Sequence, residues 1–452
     1  MQNSAITLLP PLVAIILAIW RKNALLALLA GLLICHVMIA NWQPLDGFIG
    51  GINELAAVFQ SLGNFYIITF SLLIGALVKL MNTSGAVNGF IHHLSQLNLV
   101  KNKRQASMLP TIIGTSIFTD TNLSMFAAGM ASQQLFDKHK LSRARLAYLI
   151  DSTCAPISIL FLINGWGAYV LGLLDDFSFD DPVGILIGTV GYNFYAIIAV
   201  VLAYFTAYSG KVYGPMKTAK SHINMNIEPV VKKTALARVM WLPFISLLAI
   251  TLVLLFITGD GDIRRGSGSF SVFWAITSSL IMLILMILFY RLLNAKQIIL
   301  TALSGIKTMI APVSILVISF AFGAAIKELG TGIYVSQLMN IEVPLFLMAP
   351  ILFIAAAVMA FATGTSWGTW AILVPIAVPI ALESGLPIHF LVASVLGGGI
   401  FGDHASPISD TTIVASIASG CDHFEHVSTQ LPYALFGAIV TLMLYSLIGL
   451  SF

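Results

Sequence analysis

The sequence predicts an all-α polytopic membrane protein with about ten transmembrane helices and two re-entrant hairpins, arranged as two inverted repeats. Three observations support this fold class: the scarcity of charge, the lengths of the apolar segments and a repeated set of motifs. Of the 452 residues, 58% are hydrophobic and 9% are charged, whereas about 25% of a soluble domain is charged. With a mean hydropathy of +0.95, this composition excludes a secreted enzyme, a nucleic-acid binder and a disordered scaffold.

Ten apolar segments are each long enough to cross a bilayer as a helix. They lie near Ser4–Trp20, Ala24–Ala40, Asn64–Met81, Ala144–Leu174, Val183–Ser209, Val239–Thr258, Ser271–Tyr290, Ile310–Leu329, Leu386–Ser419 and Tyr433–Leu450. Two further stretches, Ala106–Phe136 and Val343–Leu382, contain a Gly-Thr-Ser interruption that would leave backbone groups unpaired in lipid. We therefore predict that both are re-entrant hairpins surrounded by other helices.

The basic residues test this count, because lysine and arginine are enriched in cytoplasmic loops. With ten crossings and both termini outside, 18 of the 22 lysines and arginines fall on one face. They belong to the groups 21–22, 101–104, 138–145, 211–238 and 291–307. Counting each hairpin as one or two full crossings places basic loops on both faces instead. The predicted location is therefore the cytoplasmic (inner) membrane, with lipid as the surrounding partner.

The repeat rests on four motif matches in the same order at an offset of about 250 residues. The matched pairs are Gly75–Lys79 with Gly323–Lys327, Ser84-Gly85 with Thr331-Gly332, Gly114-Thr115-Ser116 with Gly364-Thr365-Ser366, and Asp151–Ser158 with Asp403–Ser409. The predicted topology runs the two copies in opposite directions, as in many secondary transporters. The alternative is that these motifs are small-residue packing sites, which are common between membrane helices.

Four regions follow from the repeat. Residues 1–60 form N-terminal helices, and 61–210 form the first repeat with its hairpin near 106–136. Residues 211–307 form a basic cytoplasmic loop and linking helices, and 308–452 form the second repeat with its hairpin near 343–382.

The chemistry is predicted where hairpin tips and broken helices meet near the membrane midplane, because freed backbone groups there can hold ions. Breaks are predicted at Asp151–Pro156 and Gly402–Pro407, since proline removes a backbone donor. Hydroxyls and freed carbonyls form a hard-oxygen shell that suits a small cation such as Na⁺. The predicted cation or substrate shell is Gly114, Thr115, Ser116, Gly364, Thr365, Ser366, Ser406, Ser409 and Thr411. No metal beyond Na⁺ and no cofactor is predicted.

Few of the 19 acids lie at membrane depth, where an ionised side chain is costly enough to be a functional candidate. The predicted ion- and proton-binding residues are Asp403, Asp410, Asp151, Asp120 and His404. A carboxylate that binds either Na⁺ or a proton couples the two by competition. Two alternatives stay open: each acid could cap a half-helix, and His404 could be a neutral histidine bonded to backbone.

Three stretches resemble the NhaC-type Na⁺/H⁺ antiporter family: Phe361–Trp370, Gly402–Thr412 and Cys421–Pro432. In the first half, Gly114–Asp120, Asp151–Pro156 and Gly165–Tyr169 are similar to that family's counterparts. The resemblance implies inverted repeats, re-entrant hairpins and an elevator-type movement, within a superfamily that also carries organic anions. At position 405 this chain has alanine where many relatives have cysteine.

The predicted function is secondary active transport, not enzymatic catalysis. The primary hypothesis is Na⁺/H⁺ antiport by alternating access. The second keeps the fold and changes the cargo to an amino acid or small organic acid driven by Na⁺ or H⁺, because half-helix amino ends can hold a carboxylate. A channel is disfavoured by the repeat and by the lack of a symmetric filter motif. A homodimer stays open, and no nucleic acid is expected as a partner.

Overall fold

The computed structural model describes residues 5–21, 23–87, 89, 100–118, 121–162, 164–175, 177, 179–219, 235–262, 266–331, 334 and 343–452. Eighteen α-helices make up most of these residues, and no strand occurs among them. In chain order the helices are α1 (Leu9–Arg21), α2 (Ala24–Ile39), α3 (Pro44–Val58), α4 (Leu62–Thr83), α5 (Lys103–Ser116), α6 (Thr121–Lys138), α7 (Arg143–Leu160), α8 (Gly165–Asp175), α9 (Pro182–Tyr192), α10 (Phe194–Ser209), α11 (Arg238–Thr258), α12 (Gly268–Phe289), α13 (Ala295–Leu329), α14 (Met348–Thr363), α15 (Ser366–Ser384), α16 (Ile388–Ala405), α17 (Asp410–Ser419) and α18 (His423–Gly449). The predicted all-α fold class is confirmed.

Ten helical segments in the described part of the chain are long and apolar enough to cross a membrane. These helices confirm the prediction of a multi-pass membrane protein, although they are not the same ten segments that the sequence predicted. Both helices of the second hairpin, α14 and α15, qualify by length and composition. Helices α1 and α2 are shorter, at 13 and 16 residues, and Asn23 begins α2 by accepting a hydrogen bond from the Leu26 amide.

One predicted crossing, Val183–Ser209, is two helices instead of one. Helix α9 ends at Tyr192 and α10 begins at Phe194, with the buried Asn193 between them. The Asn193 side chain accepts a hydrogen bond from the Ala196 amide and so caps α10. The hydroxyl of Tyr445 donates to the Tyr192 carbonyl over 2.8 Å, which satisfies a backbone group that the interruption frees.

The first predicted helix break is misplaced. Helix α7 continues through Asp151–Pro156, and the interruption falls between Leu160 and Gly165. Pro156 lies inside α7, where it removes one backbone donor without ending the helix. The interruption is stabilised instead by Asn164, whose side-chain nitrogen donates to the carbonyl oxygens of Ser158 and Phe161.

The second half agrees more closely with the sequence. Helix α14 ends at Thr363, Gly364 follows with φ of +69°, and α15 begins at Ser366, so Gly-Thr-Ser forms the turn as predicted. Helix α16 ends at Ala405 and α17 begins at Asp410, which places the break at the end of the predicted segment. In the first half, by contrast, Gly114-Thr115-Ser116 is the last turn of α5.

Helices α5 to α8 and α14 to α17 follow one pattern of lengths. The first set has 14, 18, 18 and 11 residues, and the second has 16, 19, 18 and 10. A sequence repeat predicts this common order. The opposite orientation of the two sets in the membrane and the re-entry of the hairpins stay predictions.

Glycines bring α16 against α14 and thereby position the residues at the end of α16. A Cβ atom at Gly402 would lie 2.4 Å from the Ala357 carbonyl oxygen, and one at Gly398 would lie 2.4 Å from that of Phe353. Any larger residue would push the two helices apart. The close approach fixes the position of Asp403, the next residue in the chain.

Candidate functional site

The carboxylate of Asp403 lies at the end of α16 inside a shell of hydroxyl groups. Ser366, at the start of α15, donates to Asp403 Oδ2 over 2.5 Å, and Ser409 donates to Asp403 Oδ1. The Thr411 and Ser409 hydroxyl oxygens are 2.9 Å apart. Asp403 is 3% exposed, and both serines are fully buried. Two predicted site residues, Ser366 and Ser409, therefore contact the predicted carboxylate of Asp403, and a third, Thr411, contacts Ser409.

This shell joins the turn of the second hairpin to the break between α16 and α17. A Cβ atom at Gly364 would lie 2.6 Å from the Ile408 carbonyl oxygen, so the turn packs directly on the break. The Ser406 hydroxyl donates to the Phe361 carbonyl over 2.7 Å and ties the break to α14. The predicted residues Gly364 and Ser406 thus hold the hairpin turn, the break and α14 together. Thr365 immediately precedes α15.

Asp410 is placed differently from Asp403. It is the first residue of α17 and is exposed, and its Oδ1 accepts a hydrogen bond from the Thr411 amide over 2.9 Å. A carboxylate at a helix amino end is stabilised by the helix dipole. This geometry matches the capping alternative for Asp410, although its charge still acts on Asp403.

A second buried carboxylate, Asp151, lies in the middle of α7. Its Oδ2 atom accepts a hydrogen bond from the Gln430 side-chain nitrogen over 2.7 Å and lies 3.2 Å from His426 Nε2. Both partners belong to α18. The same Gln430 nitrogen donates to the His404 carbonyl over 2.6 Å, so it links α18 to both α7 and α16.

The imidazole of His404, the residue after Asp403, contacts other side chains through both of its nitrogens. Its Nδ1 is 2.8 Å from the Tyr195 hydroxyl, and its Nε2 is 3.0 Å from the Ser152 hydroxyl and 3.9 Å from Asp151 Oδ2. Both ring nitrogens thus contact side chains of other residues, in contrast to the alternative of a histidine bonded to backbone. His404 therefore bridges α10, α7 and α16.

The predicted first-half tip does not join either acid. The Thr115 hydroxyl lies 2.8 Å from that of Tyr204, and the Ser116 hydroxyl donates to the Ile112 carbonyl in its own helix. Gly114 packs on α7, where an added Cβ would lie 2.5 Å from the Thr153 hydroxyl. The remaining predicted acid, Asp120, lies outside the described residues.

Sequence reasoning missed His426 and Gln430. Both lie in the stretch Cys421–Pro432 that carries the family resemblance. The available signal was their spacing, because two polar residues four apart share one face of a helix.

A family model, described as the Na⁺/H⁺ antiporter family, matches residues 146–450. The chain belongs to this family. An uncharacterised protein of Haemophilus influenzae is 31% identical over all of this chain and 92% of its own length. The malate-2H⁺/Na⁺-lactate antiporter of Bacillus subtilis is 33% identical over 24% of this chain and 23% of its own. MtrF of Neisseria gonorrhoeae, from a class of antimetabolite efflux pumps, shares the fold at 13% identity, with a TM-score of 0.59 over 89% of this chain and 84% of its own.

The family match confirms the resemblance found in the sequence. It also confirms that the protein is a secondary transporter and not an enzyme. Together with the ten apolar helices, it places the chain among multi-pass membrane proteins that work in contact with lipid.

Proposed function

We propose that this transporter exchanges Na⁺ for H⁺ across the cytoplasmic membrane, with Asp403 as the Na⁺ ligand. The observation that carries the proposal is the charge around Asp403. Among the described residues, the charged groups that act on it are Asp410 and Asp151, and both are acids. A buried carboxylate without a positive partner is strongly disfavoured, so Asp403 requires either a cation or a proton.

The hydroxyl shell favours a hard cation. Ser366 and Ser409 donate to Asp403 in the state described here, and each hydroxyl oxygen also has lone pairs that can face a bound ion. Na⁺ prefers oxygen ligands for the same reason as other hard cations. A small rotation of these hydroxyls would convert a hydrogen-bonded carboxylate into an oxygen-lined Na⁺ site.

The shell also gives the ion a way to act on conformation. Ser366 belongs to the hairpin turn, whereas Ser409 and Thr411 belong to the helix break. An ion bound between them holds the two segments together, and its departure weakens that contact. In the proposed alternating access, the hairpin-bearing unit shifts as a rigid body relative to the remaining helices.

The proposed orientation has both termini outside and the basic groups in the cytoplasm. Residues 101–104 and 138–145 then flank the first hairpin on the same face. Labelling of single cysteines introduced at 102 and 139, with a membrane-impermeant reagent, should therefore give the same sidedness. Opposite sidedness would show that this segment crosses the membrane.

Transport of Na⁺ alone is the deciding measurement. Purified protein in liposomes with an imposed proton gradient should change the luminal pH when Na⁺ is added, as reported by a trapped pH-sensitive dye. An equal addition of K⁺ and protein-free liposomes serve as controls. A response that requires malate, lactate or an amino acid in addition would contradict simple antiport.

That second outcome would favour Na⁺- or H⁺-coupled transport of an amino acid or small organic acid. One comparison supports this candidate: the Bacillus subtilis relative is named for malate and lactate exchange, and it matches about a quarter of this chain. The Asp403 site would then bind the coupling ion.

A further inference from the structure

The two buried acids of the site have different kinds of partner. Asp403 is surrounded by hydroxyl oxygens, whereas Asp151 faces nitrogen atoms, namely the side-chain amide of Gln430 and the imidazole of His426. All three side chains of the Asp151 group are fully buried. Imidazole nitrogen is a poor ligand for a hard cation but an ordinary carrier of a proton.

Charge balance points in the same direction. The titratable groups that act on Asp151, or on which it acts, are His404 and Asp403 from α16, Asp410 from α17, His426 from α18, Tyr195 from α10 and Cys154 from α7 itself. Helices α5, α6 and α8 add none in the described part of the chain. No lysine or arginine is present in this set. Within hydrogen-bond distance, His426 is the titratable partner that can offset the charge of Asp151.

We propose that the exchanged proton is held by the Asp151–His426 pair, and that Asp403 holds the Na⁺ ion. The inference rests on the proposed antiport and divides its two cargoes between neighbouring centres. One proton gives the pair zero net charge, whether it produces a carboxylic acid beside a neutral imidazole or a carboxylate beside an imidazolium.

The pair communicates with the Na⁺ site through charge. The Gln430 nitrogen bonds both Asp151 and the carbonyl of His404, the residue after Asp403, so the two acids are neighbours. An ionised Asp151 therefore makes the surroundings of Asp403 more favourable for a cation. Uptake of a proton by the pair removes that contribution and weakens Na⁺ binding. By linkage, bound Na⁺ weakens proton binding to the same extent, which is the relation that antiport requires.

Two buried atoms without hydrogen-bond partners link proton uptake by the pair to a conformational change. Asp151 Oδ1 and His426 Nδ1 are buried and have no hydrogen-bond partner among the described residues. A proton added at either atom would lack an acceptor in this conformation, and a buried unsatisfied donor is costly. Proton uptake therefore favours a conformation in which one of these atoms meets water or another acceptor.

His426→Gln tests the proposal in two transport modes. Proton-driven uptake of radiolabelled Na⁺ should fall about tenfold or more, because Asp151 loses its titratable partner and keeps its proton. Exchange of labelled for unlabelled Na⁺ at equal pH needs no proton and, at saturating Na⁺, should stay within about twofold of the native rate. The matched control is His389→Gln on α16, whose ring lies beside Tyr192 and away from this pair.

Asp151→Asn provides an independent variant that mimics the protonated pair. It should show the same split between the two modes. The apparent Na⁺ affinity of the native protein should fall as pH falls, because proton uptake neutralises Asp151, and this dependence should become shallower in the variant. A purely structural role for Asp151 would not change the pH profile.

Each outcome decides one of the two proposals. Proton-driven uptake that survives His426→Gln or Asp151→Asn would overturn the assignment of the proton. So would equal loss of both modes in a variant that stays monodisperse on size exclusion. If the native protein itself shows neither mode, Na⁺/H⁺ antiport fails, whatever the two variants do.

Discussion

The two helix breaks of this transporter solve the same backbone problem with different chemistry. At the first break, the Asn164 side chain donates to the carbonyls of Phe118, Ser158 and Phe161 and accepts from the amides of Trp166 and Gly167. At the second break, the polar groups converge on the carboxylate of Asp403. The first break is neutral and satisfied by its own neighbours, whereas the second contains a buried acid that needs a cation or a proton as a further partner.

The surroundings of the two breaks differ in the same sense. A cavity of about 500 Å³ adjoins the first break, where Phe118 and Phe161 meet α9, α11 and α12, and its lining is almost entirely apolar. The second break packs against the hairpin turn at Gly364. Helices in the same order therefore surround the two breaks with different chemistry. A repeated architecture does not require two equivalent sites.

Among the variants that test the difference between the two breaks, a replacement of Asp403 should reduce transport the most. Asp403→Asn keeps the size of the side chain but removes the charge that balances a cation, so Na⁺-driven proton movement in liposomes should fall at least about a hundredfold. Asp46→Asn, at an exposed acid in the first turn of α3, is the control and should be silent. Native rates in Asp403→Asn would remove the charged break from the mechanism.

Asn164→Ala tests whether the first break stabilises the fold without binding the ion. It leaves buried carbonyl and amide groups without partners, which should lower the free energy of unfolding by about 2–4 kcal/mol. Thermal melting in detergent measures this loss, and Asn102→Ala, which removes an exposed helix cap, should cost about 1 kcal/mol. The apparent Na⁺ affinity of the folded fraction should be unchanged. A large loss of affinity without a loss of stability would show that the first break also binds the ion.

Hydroxyl groups in the two halves should differ in their effect on apparent Na⁺ affinity. Ser366→Ala and Ser409→Ala each remove a ligand of the charged shell and should weaken apparent Na⁺ affinity about tenfold, the scale of a hydrogen bond to a charged group. Ser116→Ala in the first half should change it less than about twofold, since that hydroxyl bonds to its own helix. Equal effects at Ser116 and Ser409 would mean that both tips contact the ion.

The second half was the more predictable half, and the reason is local. Glycine at position 364 allows the positive φ of the turn, and Ser406–Ser409 around Pro407 gives the break. Such signals act within a few residues, so the sequence exposes them. Ser409 is near Asp403 through the local break, whereas Ser366 is expected there because hairpin tips and broken helices meet in such transporters.

The first half depends on tertiary contacts that the sequence pattern does not display. Pro156 stays helical, and the interruption lies at Asn164 instead. The side-chain amide of Asn164 donates to the carbonyl oxygens of Phe118 and Ser158 and so stabilises the interruption. The motif match between Asp151 and Asp403 accordingly aligns unequal positions. Asp403 lies two residues before the end of α16, and Asp151 lies nine before the end of α7. His426 reaches Asp151 across the fold, a contact that no local spacing could predict.

Asp410 gives the smallest and most discriminating expected effect. It lies seven residues after Asp403, but the break puts it on a new helix, where it is exposed and bonded to the Thr411 amide. Its charge should then contribute only what an exposed carboxylate at a helix amino end contributes, so Asp410→Asn should change apparent Na⁺ affinity about two- to fivefold. Na⁺ titrations of proton movement, run beside Asp403→Asn, measure the difference. A loss as complete as that of Asp403→Asn would make Asp410 a direct ligand, and the second break would then hold its ion between two carboxylates.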